Sequence, residues 1–95
     1  MQLEITYLAR IDLDQLRERG VYKYGALQTR KYLLGLTQTL KTISYAPHMV
    51  RERNEFRLPT RIHHYKAHII AYRVEEDKVK IVRIFSKYQD WMVLL

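Results

Sequence analysis

Arg61, His63, His64, His68, Arg83, Lys87 and Tyr88 are the residues whose types could do chemistry on a phosphodiester. RNA can be cut without a metal when its 2′-hydroxyl attacks the adjacent phosphate. Side chains then move the proton, and cations absorb the developing charge. Arginine and lysine would supply the cations, and His68 or Tyr88 the proton transfer. Such a site works only if these side chains share one face of one sheet. The competing reading of His68 is a ring satisfying a hydrogen bond at a strand end, with Tyr72 filling the core. A titration range near neutrality does not by itself make a histidine catalytic.

Other constellations are weaker. His63 and His64 are adjacent in an extended run, so they point to opposite faces and cannot act together. The chain has no cysteine, and the nearest acids, Glu75, Glu76 and Asp77, belong to a turn. That set matches no common ligand spacing, and no metal or cofactor is expected. Asp90 and Trp91 allow two readings. Trp91 caps the core edge while Asp90 pairs with an arginine such as Arg83, or both meet a target.

Ninety-five residues suit one domain spanning 1–95. A hydrophobic share of 47% fits a folded chain. The net charge is +7, from 17 Lys and Arg against 10 Asp and Glu. Such a field attracts nucleic acid, acidic protein segments or anionic membrane. Membrane is the least favoured, because no segment is a clean basic amphipathic helix. No run approaches the roughly 20 apolar residues of a span, and the N-terminus lacks signal-peptide order. Cytoplasmic residence is expected. Arg10, Arg17, Arg19, Lys23, Arg30 and Lys31 cluster in the helical half. A nucleic-acid platform there would need exposed aromatics. Tyr24 and Tyr32 are expected in the core instead, and nothing resembles a DNA-recognition helix or zinc module.

The elements that must position these residues follow from periodicity. Leu3 to Thr6 forms a short opening strand. Ala9 to Tyr24 forms a helix with Leu13, Leu16 and Gly20 on its stripe and Asp12, Asp14, Arg17, Glu18 and Arg19 on the other side. Gly25 breaks it. Ala26 to Ile43 repeats Thr29, Leu33, Leu36, Leu40 and Ile43 at helical spacing, and Pro47 ends the helical region. The two helices form an antiparallel hairpin. Arg51 to Glu55 reads as a charged connector. Arg61–Tyr65, His68–Val74 and Lys78–Phe85 then form a three-stranded antiparallel sheet, turning at Lys66-Ala67 and Glu75-Glu76-Asp77. The expected class is α+β. The sheet is apolar on both faces, with Ile69 and Ala71 on one and Ile70, Tyr72 and Val74 on the other. One hairpin covers one face. The second is capped by Trp91–Leu95 or left for a partner.

Along almost its whole length this order resembles the ParE/RelE superfamily of toxins from type II toxin–antitoxin systems, its ParE branch above all. The resemblance runs through Asp12-Leu13, Tyr24-Gly25, Thr29, Tyr32, Leu36 and Leu40, Ala46-Pro47, Arg61, the His68 and Tyr72 pair, Ile81 to Ile84, and Ser86-Lys87-Tyr88-Gln89-Asp90. Ser86 and Tyr88 depart from the His and Arg usual there. ParE membership implies a non-enzymatic inhibitor of DNA gyrase, masked by a small acidic antitoxin. Arg61, Lys87, Tyr88, Asp90 and Trp91 would then meet the target. A RelE-type chain would instead be a ribosome-dependent mRNA endonuclease, with Arg61, His68, Arg83, Lys87 and Tyr88 as catalytic residues. The altered Ser86 and Tyr88 fit a degenerate member that only binds antitoxin.

Overall fold

The computed structural model describes residues 1–95. Strand β1 (Gln2–Ile5) is followed by helices α1 (Tyr7–Tyr24) and α2 (Ala26–Tyr45). Strands β2 (Glu52–Arg53), β3 (Thr60–Tyr65), β4 (His68–Glu75) and β5 (Lys78–Ser86) come next, and a short helix α3 (Trp91–Leu94) closes the chain. The expected α+β order holds, but the sheet is larger than three strands. It has five, in the order β1-β5-β4-β3-β2, and it is mixed. β1 pairs parallel to β5, from Gln2 opposite Lys78 to Ile5 opposite Ile81. Two residues of the expected connector form β2, with Glu52 opposite Arg61 and Arg53 opposite Thr60. Both additions are edge strands, and such short pieces take strand form from their neighbour rather than from their own sequence.

The first helix starts at Tyr7, earlier than Ala9, because Thr6 is a good N-cap. Its hydroxyl accepts from the Ala9 N–H at 3.1 Å and donates to the Val82 carbonyl at 2.8 Å. Gly25, at φ 87°, lets α2 begin one residue after α1 ends. Both hairpins of the sheet turn over two residues. Lys66 and Glu76 take positive φ, 48° and 56°, as primed hairpin turns require, and Glu75 belongs to the strand rather than the turn.

The helices cover one sheet face. Leu36, Leu40 and Ile43 of α2 and Ala9 of α1 pack with Ile70, Tyr72, Val79, Ile81 and Ile84. On the other face Ile62, Ile69, Ala71 and Phe85 are covered by Phe56, Trp91 and Leu95. The tail therefore caps part of the second face, while Met92, Val93 and Leu94 stay exposed. A bulge sets this division. Ala71 pairs with Arg83 but Tyr72 pairs with Ile81, so Val82 has no partner. Strict alternation would send Ile81 and Ile84 to opposite faces. The extra residue brings both onto the helix side and turns Phe85 to the other.

Where β1 ends, α1 takes over the edge of β5. The Thr6 N–H donates to the Ile81 carbonyl at 3.1 Å. Asp12 then accepts from the Ile84 N–H at 2.8 Å and from the Arg83 guanidinium at 2.8 and 3.0 Å. Asp12 was expected on the solvent side of its helix, but its side chain is only 9% exposed.

Asp12→Ala leaves a backbone N–H and a guanidinium without their acceptor. It should lower unfolding free energy by about 3 kcal/mol, measured by urea denaturation. Asp12→Asn keeps an acceptor and should lose less. A second test concerns Gly35, where a Cβ would collide with the Tyr65 hydroxyl. Gly→Ala inside a helix normally gains about 1 kcal/mol. Here it should cost about 1–3 kcal/mol through overpacking, and less in a Tyr65→Phe background.

Candidate functional site

The end of the sheet that carries the β3–β4 turn gathers most of the residues singled out from sequence. Tyr65 pairs with His68 across that turn, and His68 pairs with Ser86 of β5. The chain then turns sharply. The Ser86 carbonyl accepts from the Gln89 N–H at 3.1 Å. The Ser86 hydroxyl accepts from the Tyr88 N–H at 3.2 Å, and Gln89 Oε1 accepts from the Ser86 N–H at 2.8 Å. Serine suits this local role because its short hydroxyl reaches its own backbone two residues on. The Lys87 N–H donates to the Ala67 carbonyl at 2.9 Å, joining this turn to the β3–β4 turn. Lys87 and Tyr88 are therefore presented on a braced loop, with Tyr88 84% exposed.

Beneath that loop lies an aromatic cluster. Tyr32 Oη and His68 Nδ1 are 2.6 Å apart. Tyr32 meets both His68 and Tyr65 edge-on, at centroid distances of 5.4 and 5.3 Å. The Lys66 ammonium sits 5.4 Å from the Tyr65 ring and 5.9 Å from that of Tyr32. Burial holds the His68 pKa below the usual histidine range and that of Tyr32 above its usual value, the Ala67 amide opposing the latter. The ring is thus neutral near pH 7 and hydrogen-bonded to a phenol, as a structural histidine at a strand end should be. Tyr72 is fully buried, and its hydroxyl donates to the Pro47 carbonyl at 2.8 Å.

The residues a ribonuclease would need do not converge on one face. Arg61 and His68 lie on the face the helices cover, in register with Tyr72 and Tyr65. The Arg61 guanidinium donates to the Val50 carbonyl and so ties down the segment after α2. Arg83 sits opposite Ala71, above the Phe85 ring at 4.7 Å, on the other face. The expected pairing of Asp90 with Arg83 is replaced, since Asp12 already holds that guanidinium, and Asp90 is exposed at the start of α3. Asp12, which holds Arg83 and the β5 backbone, is the anchoring residue whose role sequence reasoning missed. Its signal was spacing, three residues after the buried Ala9 and beside Leu13. His63 and His64 point to opposite faces, and His63 Nδ1 is buried with no partner.

Trp91 packs on Phe56, and the Arg53 guanidinium lies over both rings at 5.8 and 5.3 Å. Beside them, Leu8, Leu58, Leu94 and Leu95 line a shallow depression of about 300 Å³ into which Arg57, Arg73 and Arg83 also face. Arg73 and Arg83 are already held by Glu75 and Asp12, so the apolar floor beside Arg57 suits an apolar-studded chain segment that brings an acid to that one guanidinium.

The family model described as the ParE toxin of the type II toxin–antitoxin system parDE matches residues 3–91. Among solved structures, one described as the chromosomal ParDE toxin–antitoxin system from P. aeruginosa is similar, with a TM-score of 0.78. It is 21% identical, over 90% of this chain and 95% of that one. No curated protein sequence matches the chain.

The depressed pKa of His68 has a stability consequence. Its stabilising neutral form is complete above about pH 6.5, the unfolded value, and is lost as pH falls through the folded one. Unfolding free energy should therefore decline below about pH 6, by at most about 1.4 kcal/mol per pH unit for this ring. His63, shifted the same way by burial, adds to that slope. His68→Gln removes one titrating ring and should flatten the decline, as read by urea denaturation at pH 5 to 7.5.

Proposed function

We propose a mode of action for a chain that belongs to the ParE toxins of type II toxin–antitoxin systems, on the match of that family model across residues 3–91. It acts by binding, holding DNA gyrase in its cleaved-DNA state and so blocking replication in the cytoplasm. Residues 1–95 work as one domain, with a cognate antitoxin masking them. The observation that carries this reading is the braced Ser86–Gln89 turn. It spends four hydrogen bonds on holding Lys87 and Tyr88 out in solvent, a geometry useful for contact rather than for proton transfer. Asp90 and Trp91 continue that contact surface, while Arg61, tied to the Val50 carbonyl in the Tyr72 row, stands away from the Tyr65–His68–Ser86 row that carries the turn.

The ribosome-dependent ribonuclease reading finds less support. Arg61 and Arg83 are engaged on opposite faces, and His68 is a weakened base already bonded to Tyr32. The reading of a degenerate chain that only binds antitoxin is also less favoured, since Ser86 and Tyr88 fit a purpose-built turn. For the antitoxin, the leucine-lined depression beside Arg57, the guanidinium there that no carboxylate of the chain already holds, supports a segment with apolar side chains and an acid to meet it. Apolar burial would anchor it, and charge would mainly speed its arrival.

Lys87→Ala and Tyr88→Ala should leave folding unchanged, because both side chains are exposed. Each should weaken inhibition of gyrase supercoiling by about tenfold, the effect of an interface anchor. Ribosome-bound mRNA cleavage, assayed beside it, should be absent in every variant. Folded variants that inhibit gyrase at full potency would move the contact elsewhere. Antitoxin affinity should fall only modestly with moderate salt, and complete loss would rule out apolar docking as the anchor.

A further inference from the structure

Between Glu18 and Glu52 the chain carries no Asp or Glu, yet it carries Arg19, Lys23, Arg30, Lys31, Lys41 and Arg51. Most of the protein's other cations are neutralised close by. Arg17, Arg53, Arg73, Lys78, Lys80 and Arg83 all stand within 4.0 Å of a carboxylate. Arg19, Lys23, Arg30 and Lys31 pair with none and are exposed. They crowd the closed end of the α1–α2 hairpin, around Gly25.

The same end presents two tyrosines. Helical spacing puts Glu18, Arg19, Tyr22 and Lys23 on one stripe of α1, one acid beside two cations. Tyr22 is 95% exposed. Tyr24, expected in the core, is 58% exposed, because α1 ends there and the sheet does not extend beneath the tip. The Lys23 ammonium lies 5.4 Å from the Tyr24 ring, so cation and ring form one surface. Leaving two aromatic rings in water forgoes burial that tyrosine normally contributes.

We propose that the hairpin tip is a binding site for single-stranded nucleic acid. Phosphates meet Arg19, Lys23, Arg30 and Lys31, and unpaired bases stack on Tyr22 and Tyr24. An acidic peptide would satisfy the cations, but it would not require flat, exposed rings beside them. Duplex would satisfy the cations too, but its bases are already stacked. The chemistry does not distinguish DNA from RNA, because nothing at the tip is arranged to read a 2′-hydroxyl. The proposal does not rest on the gyrase reading.

The test is fluorescence anisotropy with the full chain and labelled 15-mers of dT and rU, a 15-base-pair duplex, and polyglutamate. Both single strands should bind within a few-fold of each other and more tightly than duplex or polyglutamate. With up to four phosphates engaged, the log–log salt slope should be about −2 to −3. The Tyr22→Ala/Tyr24→Ala variant should lose about tenfold or more for the single strands, with unchanged thermal unfolding. Arg30→Gln/Lys31→Gln should weaken binding and flatten the salt slope, while Lys87→Gln at the other end should change neither. If the tyrosine variant binds single strands as the parent does, the proposal fails. It fails equally if duplex or polyglutamate binds as tightly, which would make the tip a general cationic surface suited to an acidic protein.

Discussion

The Asp12 carboxylate is the contact on which the rest of the fold depends. It accepts from the Ile84 N–H and from both donating nitrogens of Arg83, at the point where β1 has ended and β5 would otherwise be an open edge. Those bonds fix α1 along the sheet. With Thr6 they hold the β5 backbone through its bulge, and the bulge decides that Ile81 and Ile84 both face the helices while Phe85 faces the tail. Two short sequence features, Asp12-Leu13 and the Ile81-to-Ile84 run, are thus the halves of one interaction seventy residues apart. The Asp12 partnership also raises the affinity of Arg83 for its proton, chiefly through the hydrogen bond, with burial opposing it and the nearby charge adding to it.

That interaction has a cost for chemistry. It consumes Arg83, the cation best placed on the second face. Arg61 is consumed in a comparable way by the Val50 carbonyl, and His68 by Tyr32. The polar groups that sequence would nominate for catalysis are the ones a small sheet uses to satisfy its own buried donors and acceptors. What remains free is peripheral: the braced Lys87–Tyr88 turn at one end and the cationic hairpin tip of the helices. A protein of this size with little interior to spare acts most readily through its surface.

Periodicity was a good guide to the helices and to the three long strands, because each carries its own stripe or alternation. It was a poor guide to β1's parallel partner and to β2, which are too short to carry a pattern. It also misjudged exposure at two positions of α1. Asp12 looked solvated because it is acidic, and Tyr24 looked buried because it is aromatic. Residue type predicts burial only on average, and the reach of the sheet beneath each helix turn settles each case.

By itself the sequence determined the α+β class, the break at Gly25, the stop at Pro47, the two-residue turn at Lys66-Ala67 and the family resemblance. These depend on backbone preferences and on residues near one another in the chain. Only the tertiary structure decided which face each side chain of β5 takes, which acid holds Arg83, that Ser86 folds back on its own turn, and which tyrosines remain in water. Each of those depends on a register or an edge shared between distant segments. A one-residue slip in register inverts every facing, and no local pattern encodes that slip.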